Sequence, residues 1–320
     1  MFFESHKKSG GINLLAFFVF VAILLTTCKN AGKPLPTEVS QAPVLPMLPT
    51  ATKTLPLSTA TPKIIPKAPT PELRRCSAPG TIHEQLFSSI YAGDMFYRVY
   101  LPPCYGIDGR SYPTLYLLPG NIHTDSIWDD LGVDEVAEAG ILAGIFPSLI
   151  IVMADGGWIA NNTSGGSASY EEVVVSELIP LIEGSYCAWA AADGRAIGGL
   201  SRGGYWALEI AFRHPEQFIS VGGHSAALYD IAAGPNLNPQ QTGLTRDLGN
   251  LRIYLDIGKQ DYLIPNVRQL HEDMETAAIP HTWVLNEGQH ENDYWMAHIE
   301  EYLTWYTLPW PLARNSYPIC

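Results

Sequence analysis

The sequence is poor in basic residues. Its 320 residues include 19 Lys and Arg against 32 Asp and Glu, which gives a formal net charge of −13 at pH 7. The imbalance is concentrated after residue 72, where twelve basic residues face 29 acidic ones, a net charge of −17. A surface this acidic repels nucleic acid and other polyanions, so neither is an expected partner.

Cysteine is also scarce, and the five present are Cys28, Cys76, Cys104, Cys187 and Cys320. None belongs to a C-x-x-C motif or to a Cys/His cluster with zinc-like spacing, so we predict neither a metal site nor a cofactor. Without Cys28 the number is even, which in an exported chain suggests disulfides. Of the three pairings open to four cysteines we favour Cys76–Cys104, which flank a predicted N-terminal hairpin, and this leaves Cys187–Cys320.

Apolar runs long enough to cross a bilayer are missing from the N-terminal region. The run Leu14–Leu25 has 12 residues and follows a basic patch at residues 6–8, so residues 1–28 fit an export signal. Leu25-Thr26-Thr27-Cys28 resembles the lipobox of bacterial lipoproteins, although Thr27 replaces the usual Gly, Ala or Ser. An uncleaved anchor or an ordinary secretory signal are the alternatives. We expect an extracellular or cell-surface protein that meets the membrane only through its N-terminal anchor or a lipid on Cys28.

Residues 29–72 hold ten prolines and few aromatics. Such a segment cannot bury enough apolar surface to fold, and its prolines favour extended geometry, so it is predicted to be a disordered stalk. The folded domain is therefore predicted over residues 73–320, ample for one core. No internal repeat is visible in it.

Within this domain, short apolar runs alternate with helical patterns. The predicted strands are Met95–Leu101, Tyr112–Leu118, Ser148–Met153, Arg195–Ile197, Phe218–Gly222, Leu251–Ile257 and His281–Leu285. The predicted helices are Ser126–Ala143, Glu171–Ser185, a helix opening at Tyr205–Ala211, Ile264–Ala278 and Asn292–Trp305. This alternation predicts an α/β fold with a mostly parallel sheet covered by helices on both faces. Residues 226–250, rich in Gly, Pro, Asn and Gln, stay unassigned and could form a small flap.

The segment Gly198–Gly204 carries the strongest chemical signal. Its serine, Ser201, lies in a G-x-S-x-G pattern between a predicted strand and a predicted helix, which is the nucleophile elbow of α/β-hydrolases. The turn lifts the hydroxyl clear of the backbone, and neighbouring chains then pass too close for a Cβ at Gly199 or Gly203. Outside this context a turn serine would be the simpler interpretation.

A nucleophilic serine needs a base, and the base needs an orienting carboxylate. His290 follows the last predicted strand in a loop, from which it could reach the elbow. Asp261 follows another strand, at the carboxyl edge where the functional groups of parallel sheets gather. Asp256, inside the same strand, is the alternative acid.

The oxyanion hole needs two backbone N–H donors. One is predicted at Arg202, the residue after the nucleophile, and the other at Asn121 in the loop after the first central strand, with Ile122 as the alternative. The Arg202 side chain is either an ion-pair partner or a group that binds a substrate carboxylate.

Several segments occur in an order typical of one family. They are Tyr100–Tyr105, Leu115–Gly120 leading to Trp128, Arg195–Ser201, Gly258-x-x-Asp261, and Gly288-x-His290 with Trp295. Together they resemble the esterase family that includes S-formylglutathione hydrolase, feruloyl and acetyl xylan esterases, enterochelin esterase-like proteins and mycolyl transferases. The resemblance spans roughly residues 82–306 and implies the α/β-hydrolase fold with Ser201, Asp261 and His290 as its triad. Pro119 stands where the family usually has His, and Arg202 where Met is common.

The sequence therefore predicts a serine esterase acting through an acyl-enzyme. No large insertion separates the strands, so no lipase-like lid is expected, and soluble short-chain or aromatic esters, such as those decorating polysaccharides, are the favoured substrates. Trp128, His224 and Trp295 are predicted to bind the substrate. An acyltransferase of the mycolyl transferase type and a non-catalytic surface binding protein are the two alternatives. Nothing in the sequence specifies an oligomeric state.

Overall fold

The computed structural model describes residues 77–229 and 233–320. The predicted export signal, the stalk and the cysteines Cys28 and Cys76 lie outside these residues. Within the described residues, the chain forms no helix with the length and apolar character needed to cross a membrane.

A single eight-stranded sheet organises the domain. Its strands are β1 (Thr81–Ser89), β2 (Gly93–Leu101), β3 (Thr114–Leu118), β4 (Ile150–Ala154), β5 (Arg195–Leu200), β6 (Ser220–His224), β7 (Arg252–Gly258) and β8 (Thr282–Asn286). Their spatial order is β1-β2-β4-β3-β5-β6-β7-β8. β1 pairs antiparallel with β2, and β2 with β4, whereas every pairing from β4 to β8 is parallel. This is the predicted mostly parallel sheet.

Helices cover both faces of the sheet. They are α1 (Ile127–Asp130), α2 (Val133–Leu142), α3 (Gly157–Asn162), α4 (Tyr170–Glu172), α5 (Ile179–Ser185), α6 (Arg202–Arg213), α7 (Pro239–Thr245), α8 (Ile264–Thr276) and α9 (Asn292–Thr307). A π-helical turn, Val173–Leu178, joins α4 to α5. The predicted helix over Ser126–Ala143 is in fact two, because Gly132 adopts a φ of +85° between α1 and α2.

The central strands bury side chains on both faces, which explains their unbroken apolar runs. In β3, Tyr116 and Leu118 enter the core shared with α6 and α8, while Leu115 and Leu117 enter the core shared with α2 and α9. All five residues of β3 are buried. Because β4 to β8 run parallel, their carboxyl ends meet at one edge, and the loops that follow them are brought together there.

The predicted disulfide between Cys187 and Cys320 is confirmed. It ties the segment after α5 to the C-terminal residue. Cys104 is also disulfide-bonded, and its predicted partner, Cys76, lies outside the described residues.

Candidate active site

Ser201 occupies a strained turn between β5 and α6. Its φ of 55° and ψ of −117° lie in a region that residues with a Cβ seldom adopt. Its N–H donates to the carbonyl oxygen of His224 at 2.9 Å, which anchors the turn to β6. A Cβ on Gly199 would lie 2.3 Å from the backbone of Gly203, so this turn closes only around glycine.

His290 connects Ser201 to Asp261 by two hydrogen bonds. Its Nε2 lies 2.9 Å from Ser201 Oγ, and its Nδ1 lies 2.8 Å from Asp261 Oδ2. An imidazole that donates from Nδ1 to a carboxylate leaves Nε2 as the acceptor for the serine proton. The structure thus brings the three predicted residues together in the order that nucleophilic catalysis requires.

Local contacts hold the carboxylate and the imidazole in place. Asp261 follows β7, its side chain is fully buried, and its Oδ1 accepts a hydrogen bond from the N–H of Leu263 at 2.8 Å. The His290 ring packs edge-on against Trp295 at 5.0 Å and lies against Tyr262 at 4.8 Å. The imidazole is therefore enclosed by aromatic rings while its Nε2 faces the serine.

The alternative acid, Asp256, belongs to a second Asp–His pair below the first. Its Oδ1 lies 2.7 Å from His224 Nδ1, and both side chains are fully buried. Its Oδ2 accepts hydrogen bonds from Tyr294 and Tyr302, each at 2.8 Å. His224 Nε2 lies 3.0 Å from the Tyr306 hydroxyl, so both of its ring nitrogens are engaged away from Ser201.

The loop after β3 lies against the N-terminus of α6. A Cβ on Gly203 would be 2.2 Å from the carbonyl oxygen of Leu118 and 2.7 Å from that of Pro119. Asn121 and Ile122 follow in this loop, and the Asn121 carbonyl accepts a hydrogen bond from the Asn161 side chain at 2.8 Å. The two predicted donors, the N–H groups of Asn121 and Arg202, thus belong to segments in direct contact.

The guanidinium of Arg202 is held by the segment that follows β4. Its Nε donates to the Ala160 carbonyl at 3.0 Å and its Nη2 to the Thr163 carbonyl at 2.5 Å. It also lies over the rings of Tyr205 and Trp206, at 4.3 and 5.3 Å from their centroids. These contacts within the domain account for the conformation of the Arg202 side chain without a substrate carboxylate.

All three predicted substrate-binding residues are buried, and this prediction is corrected. Trp128 is 1% exposed, and its Nε1 donates to the Leu118 carbonyl at 3.0 Å. His224 is 0% exposed, within the second Asp–His pair. Neither side chain is open to a ligand, since both fill the core beneath the sheet edge. Trp295 is also buried, and it contacts His290 directly, so its place is behind the imidazole.

Sequence reasoning missed the residues that surround the opening of the site. Tyr262 contacts His290 and is 69% exposed. Tyr229 lies close enough to Tyr262 to raise the pKa of that phenol, although burial is the larger cause. The available signal was that Tyr262 directly follows Asp261 in the sequence. The exposure of the two tyrosines could not be predicted from the sequence.

His123, at the end of the loop after β3, is a second imidazole near the triad. Burial lowers its pKa, and the nearby His290 lowers that pKa further. Its Nδ1 is buried without a hydrogen-bond partner among the described residues, and its ring lies edge-on to Trp295 at 6.3 Å. Both effects favour the neutral form of His123.

Residues 88–306 match the family model described as "Putative esterase". The chain belongs to this esterase family. Among curated members, "Esterase Rv1288" of Mycobacterium tuberculosis (strain H37Rv) is 36% identical over 170 residues, which are 50% of this chain and 34% of that protein. An "Endo-1,4-beta-xylanase/feruloyl esterase" of Xylanibacter ruminicola is 34% identical over 162 residues, 47% of this chain and 22% of that protein. The match therefore spans about a third of the length of the first relative and less of the second.

Solved structures share the fold of this esterase-family chain. A ferulic acid esterase superposes with a TM-score of 0.65 at 23% identity and covers 72% of this chain and 100% of its own. An S-formylglutathione hydrolase from Agrobacterium tumefaciens superposes with a TM-score of 0.61 at 17% identity, covering 72% and 96%. At such identities the likeness establishes the α/β-hydrolase fold and nothing about substrate.

The described residues offer no metal site to this family member. Within residues 77–229 and 233–320, no three His, Cys, Asp or Glu side chains are arranged to hold a metal ion.

Proposed function

We propose that this chain is a serine carboxylic-ester hydrolase in which Ser201 is the nucleophile. The observation that carries the proposal is the hydrogen-bonded series from Asp261 through His290 to Ser201 Oγ, set in a strained turn. His290 Nε2 takes the serine proton as Oγ attacks the ester carbonyl, and Asp261 stabilises the imidazolium. His290 then protonates the departing alcohol, and water activated by the same nitrogen releases the acid.

The negative charge that develops on the carbonyl oxygen needs donors from two segments. In the proposed arrangement these are the N–H of Arg202, at the N-terminus of α6, and the N–H of Asn121, in the loop after β3. The N–H groups of a first helical turn point out of the helix, and the helix dipole favours an anion there. The packing of Gly203 against the Leu118 carbonyl supports this arrangement, because it sets the distance between the two segments.

Exposed apolar side chains near the triad support an aromatic or short apolar group in the substrate. Tyr262 lies against His290 and Tyr229 lies near Tyr262, Ile122 lies in the loop after β3, and Met296 follows Trp295. Apolar and aromatic side chains of this kind are typical of the lining of small-molecule sites. Structures with the same fold include a feruloyl esterase module complexed with sinapinate and a ferulic acid esterase in complex with ferulic acid. We infer soluble short-chain or aromatic esters, such as decorations on a polysaccharide.

Covalent labelling with a fluorophosphonate tests the nucleophile. The wild-type chain should be labelled once and Ser201→Ala should not. Asp261→Asn should lose turnover by roughly 10³- to 10⁴-fold, and Asp256→Asn is the matched control, since it makes the same change in the second Asp–His pair. Labelling that survives Ser201→Ala, or greater loss of turnover in folded Asp256→Asn than in Asp261→Asn, would contradict the assignment.

A panel of aryl esters with varied acyl length then defines the reaction. Hydrolysis at the same rate with and without added alcohols is expected for a hydrolase, whereas acyl transfer to the alcohol would identify an acyltransferase. A chain that is labelled at Ser201 yet turns over no ester in the panel would fit the binding-protein alternative.

We also propose that the chain is exported and reaches the cell surface. The apolar run Leu14–Leu25 behind its basic patch supports this, and so does the Cys187–Cys320 disulfide, which persists in oxidising compartments. Fractionation of expressing cells should recover the protein outside the cytoplasm. Incorporation of a clickable fatty acid by wild type but not by Cys28→Ser would identify the lipid anchor, and equal incorporation in both would exclude Cys28.

A further inference from the structure

A sizeable cavity of the described domain lies far from the triad. Its volume is about 640 Å³, within the size range of small-molecule sites. It is lined by the segments that lead into β7 and β8, including Leu251, Arg252, His281 and Thr282. Since the triad follows the carboxyl ends of these parallel strands, the cavity opens at the opposite edge of the sheet, roughly 20 Å away by strand length.

Two arginines in this cavity have no carboxylate partner. In the part of the chain that the structure describes, neither Arg246 nor Arg252 takes part in a salt bridge. Arg110 and Arg268 also have no salt bridge among the described residues, so what sets Arg252 apart is its buried Nη1 without an acceptor. Five other basic side chains each pair with a carboxylate: Arg98, Arg195, Arg213, Lys259 and Arg314.

Arg252 has one guanidinium nitrogen without an acceptor among the described residues. Its guanidinium stacks over the indole of Trp305 at 4.2 Å, and Nη2 donates to the Trp305 carbonyl at 3.1 Å. Its Nη1 is buried without an acceptor among the described residues. Burial lowers the pKa of this guanidinium, because no neighbouring anion compensates for the lost hydration. Arg252 is only half-buried, but its buried Nη1 would gain an acceptor from an anionic ligand.

The other polar groups of the cavity are already engaged. His281 lies with Nδ1 2.9 Å from the Ile279 carbonyl and with Nε2 2.8 Å from His271. Asp247 is the acid among the lining residues, and its Oδ1 accepts a hydrogen bond from the N–H of Gly249 at 3.0 Å. The remaining lining combines apolar side chains, such as Leu251 and Ile253, with neutral polar groups, so the two arginines are the permanent cations that a ligand would meet.

We propose that this cavity is a second binding site, separate from the triad, which takes the carboxylate or phosphate group of a small ligand on Arg252 and Arg246. A guanidinium presents donors in a fork that matches both oxyanions. Trp305 holds the fork in place from one side, and the apolar walls accommodate the body of the ligand.

Calorimetric titration tests this site in the full-length chain. Sodium phosphate and sodium acetate are titrated separately at constant ionic strength set with sodium chloride. At least one anion should bind saturably to wild type, and whichever does so identifies phosphate or carboxylate as the ligand group. Arg252→Met should weaken that binding at least tenfold, since it removes the guanidinium but keeps a side chain of similar length.

Arg268→Met is the matched control, because Arg268 is an exposed arginine on α8 outside the cavity lining. It should bind the anion as wild type does. Arg246→Met provides a second variant should Arg252→Met fail to fold. Absence of saturable binding by either anion, or equal affinity in the wild type and in both cavity variants, would overturn the proposal. Ester turnover is not part of this readout, so the outcome is independent of the function proposed for the triad.

Discussion

Gly203→Ala tests whether the loop after β3 supplies an oxyanion donor. The added Cβ would lie 2.2 Å from the Leu118 carbonyl oxygen and 2.7 Å from that of Pro119, whereas real Cβ contacts are essentially never under 3.0 Å. Both obstructing atoms are backbone, so no side chain can rotate away. The N-terminus of α6 and the loop after β3 must separate by about an ångström to relieve the contact.

This separation should lower kcat strongly and the free energy of unfolding moderately. The donors proposed for the oxyanion belong to the two segments that are forced apart. Since a displacement of about 1 Å can reduce a rate by roughly 10²-fold, kcat should fall by about that factor. Overpacking of this kind lowers the free energy of unfolding by about 1–3 kcal/mol, which leaves the domain folded.

The assay compares kcat for an aryl acetate with the rate of fluorophosphonate labelling, because both reactions place a developing negative charge in the same hole. Gly184→Ala is the matched control, since a Cβ on Gly184 in α5 would meet nothing within 4 Å. It should leave kcat unchanged and stabilise the helix by about 0.5 kcal/mol. A folded Gly203→Ala variant with kcat within about twofold of wild type would refute the oxyanion assignment to this loop.

Three further predictions concern the tyrosines on Asp256, the buried Glu209 and the Cys187–Cys320 disulfide. Tyr294→Phe and Tyr302→Phe each remove one hydrogen bond to the same buried carboxylate, so each should lower the free energy of unfolding in urea by about 1.5–3 kcal/mol. Only Tyr294→Phe should also lower kcat, because loss of the hydrogen bond to Asp256 loosens a ring that packs against the loop carrying the triad histidine, and equal kcat in both variants would count against that coupling. Burial holds the pKa of Glu209 well above its usual range, so its contribution to stability is present below the ordinary carboxyl range and is lost as pH rises through the folded pKa. Glu209→Gln cannot titrate, and its free energy of unfolding should therefore rise relative to wild type between about pH 5 and about pH 8, whereas a constant difference would argue against a raised pKa. Replacing Cys187 and Cys320 by Ala opens a loop with a sequence separation of 133 residues, which should lower the free energy of unfolding by up to about 5 kcal/mol, and an unchanged thermal midpoint would contradict this.

Much of the fold was predictable because it depends on local patterns. β3 lies within the apolar run that predicted it and β4 extends one residue beyond its run, since strands buried on both faces read as continuous apolar segments. The errors arise where the backbone departs from a periodic pattern. Helix α7 lies inside residues 226–250, whose Gly, Pro, Asn and Gln obscured a seven-residue helix capped by Asn238. Gly132 divides a predicted helix because its positive φ depends on how α1 and α2 pack.

The site was predictable where one short segment determines both the backbone conformation and the identity of the reactive side chain. Ser201 needs only the glycines around it, and the segment Gly198–Gly204 contains them all. Trp128 and His224 were predicted to bind the substrate and are buried, because burial depends on which helices cover the sheet edge. Tyr262 and Tyr229 were missed for the same reason. Their exposure beside His290 follows from tertiary structure alone.

The two Asp–His pairs show what sequence reasoning needs in order to separate a catalytic pair from a structural one. Asp256 and His224 are in register on β7 and β6, so their side chains stay within the core, and the ring nitrogens of His224 are committed to Asp256 and Tyr306. Asp261 and His290 lie beyond the ends of their strands, and loops of this kind can rise above the sheet edge to reach Ser201. The deciding property is thus the position of each residue relative to its strand end, because a histidine can serve the serine only when one of its ring nitrogens is left uncommitted by the core. A prediction that extends β7 too far would place Asp261 inside the strand and so select the wrong acid. The end of β7 is marked by Gly258, where an added Cβ would lie 2.3 Å from the Gly288 carbonyl oxygen.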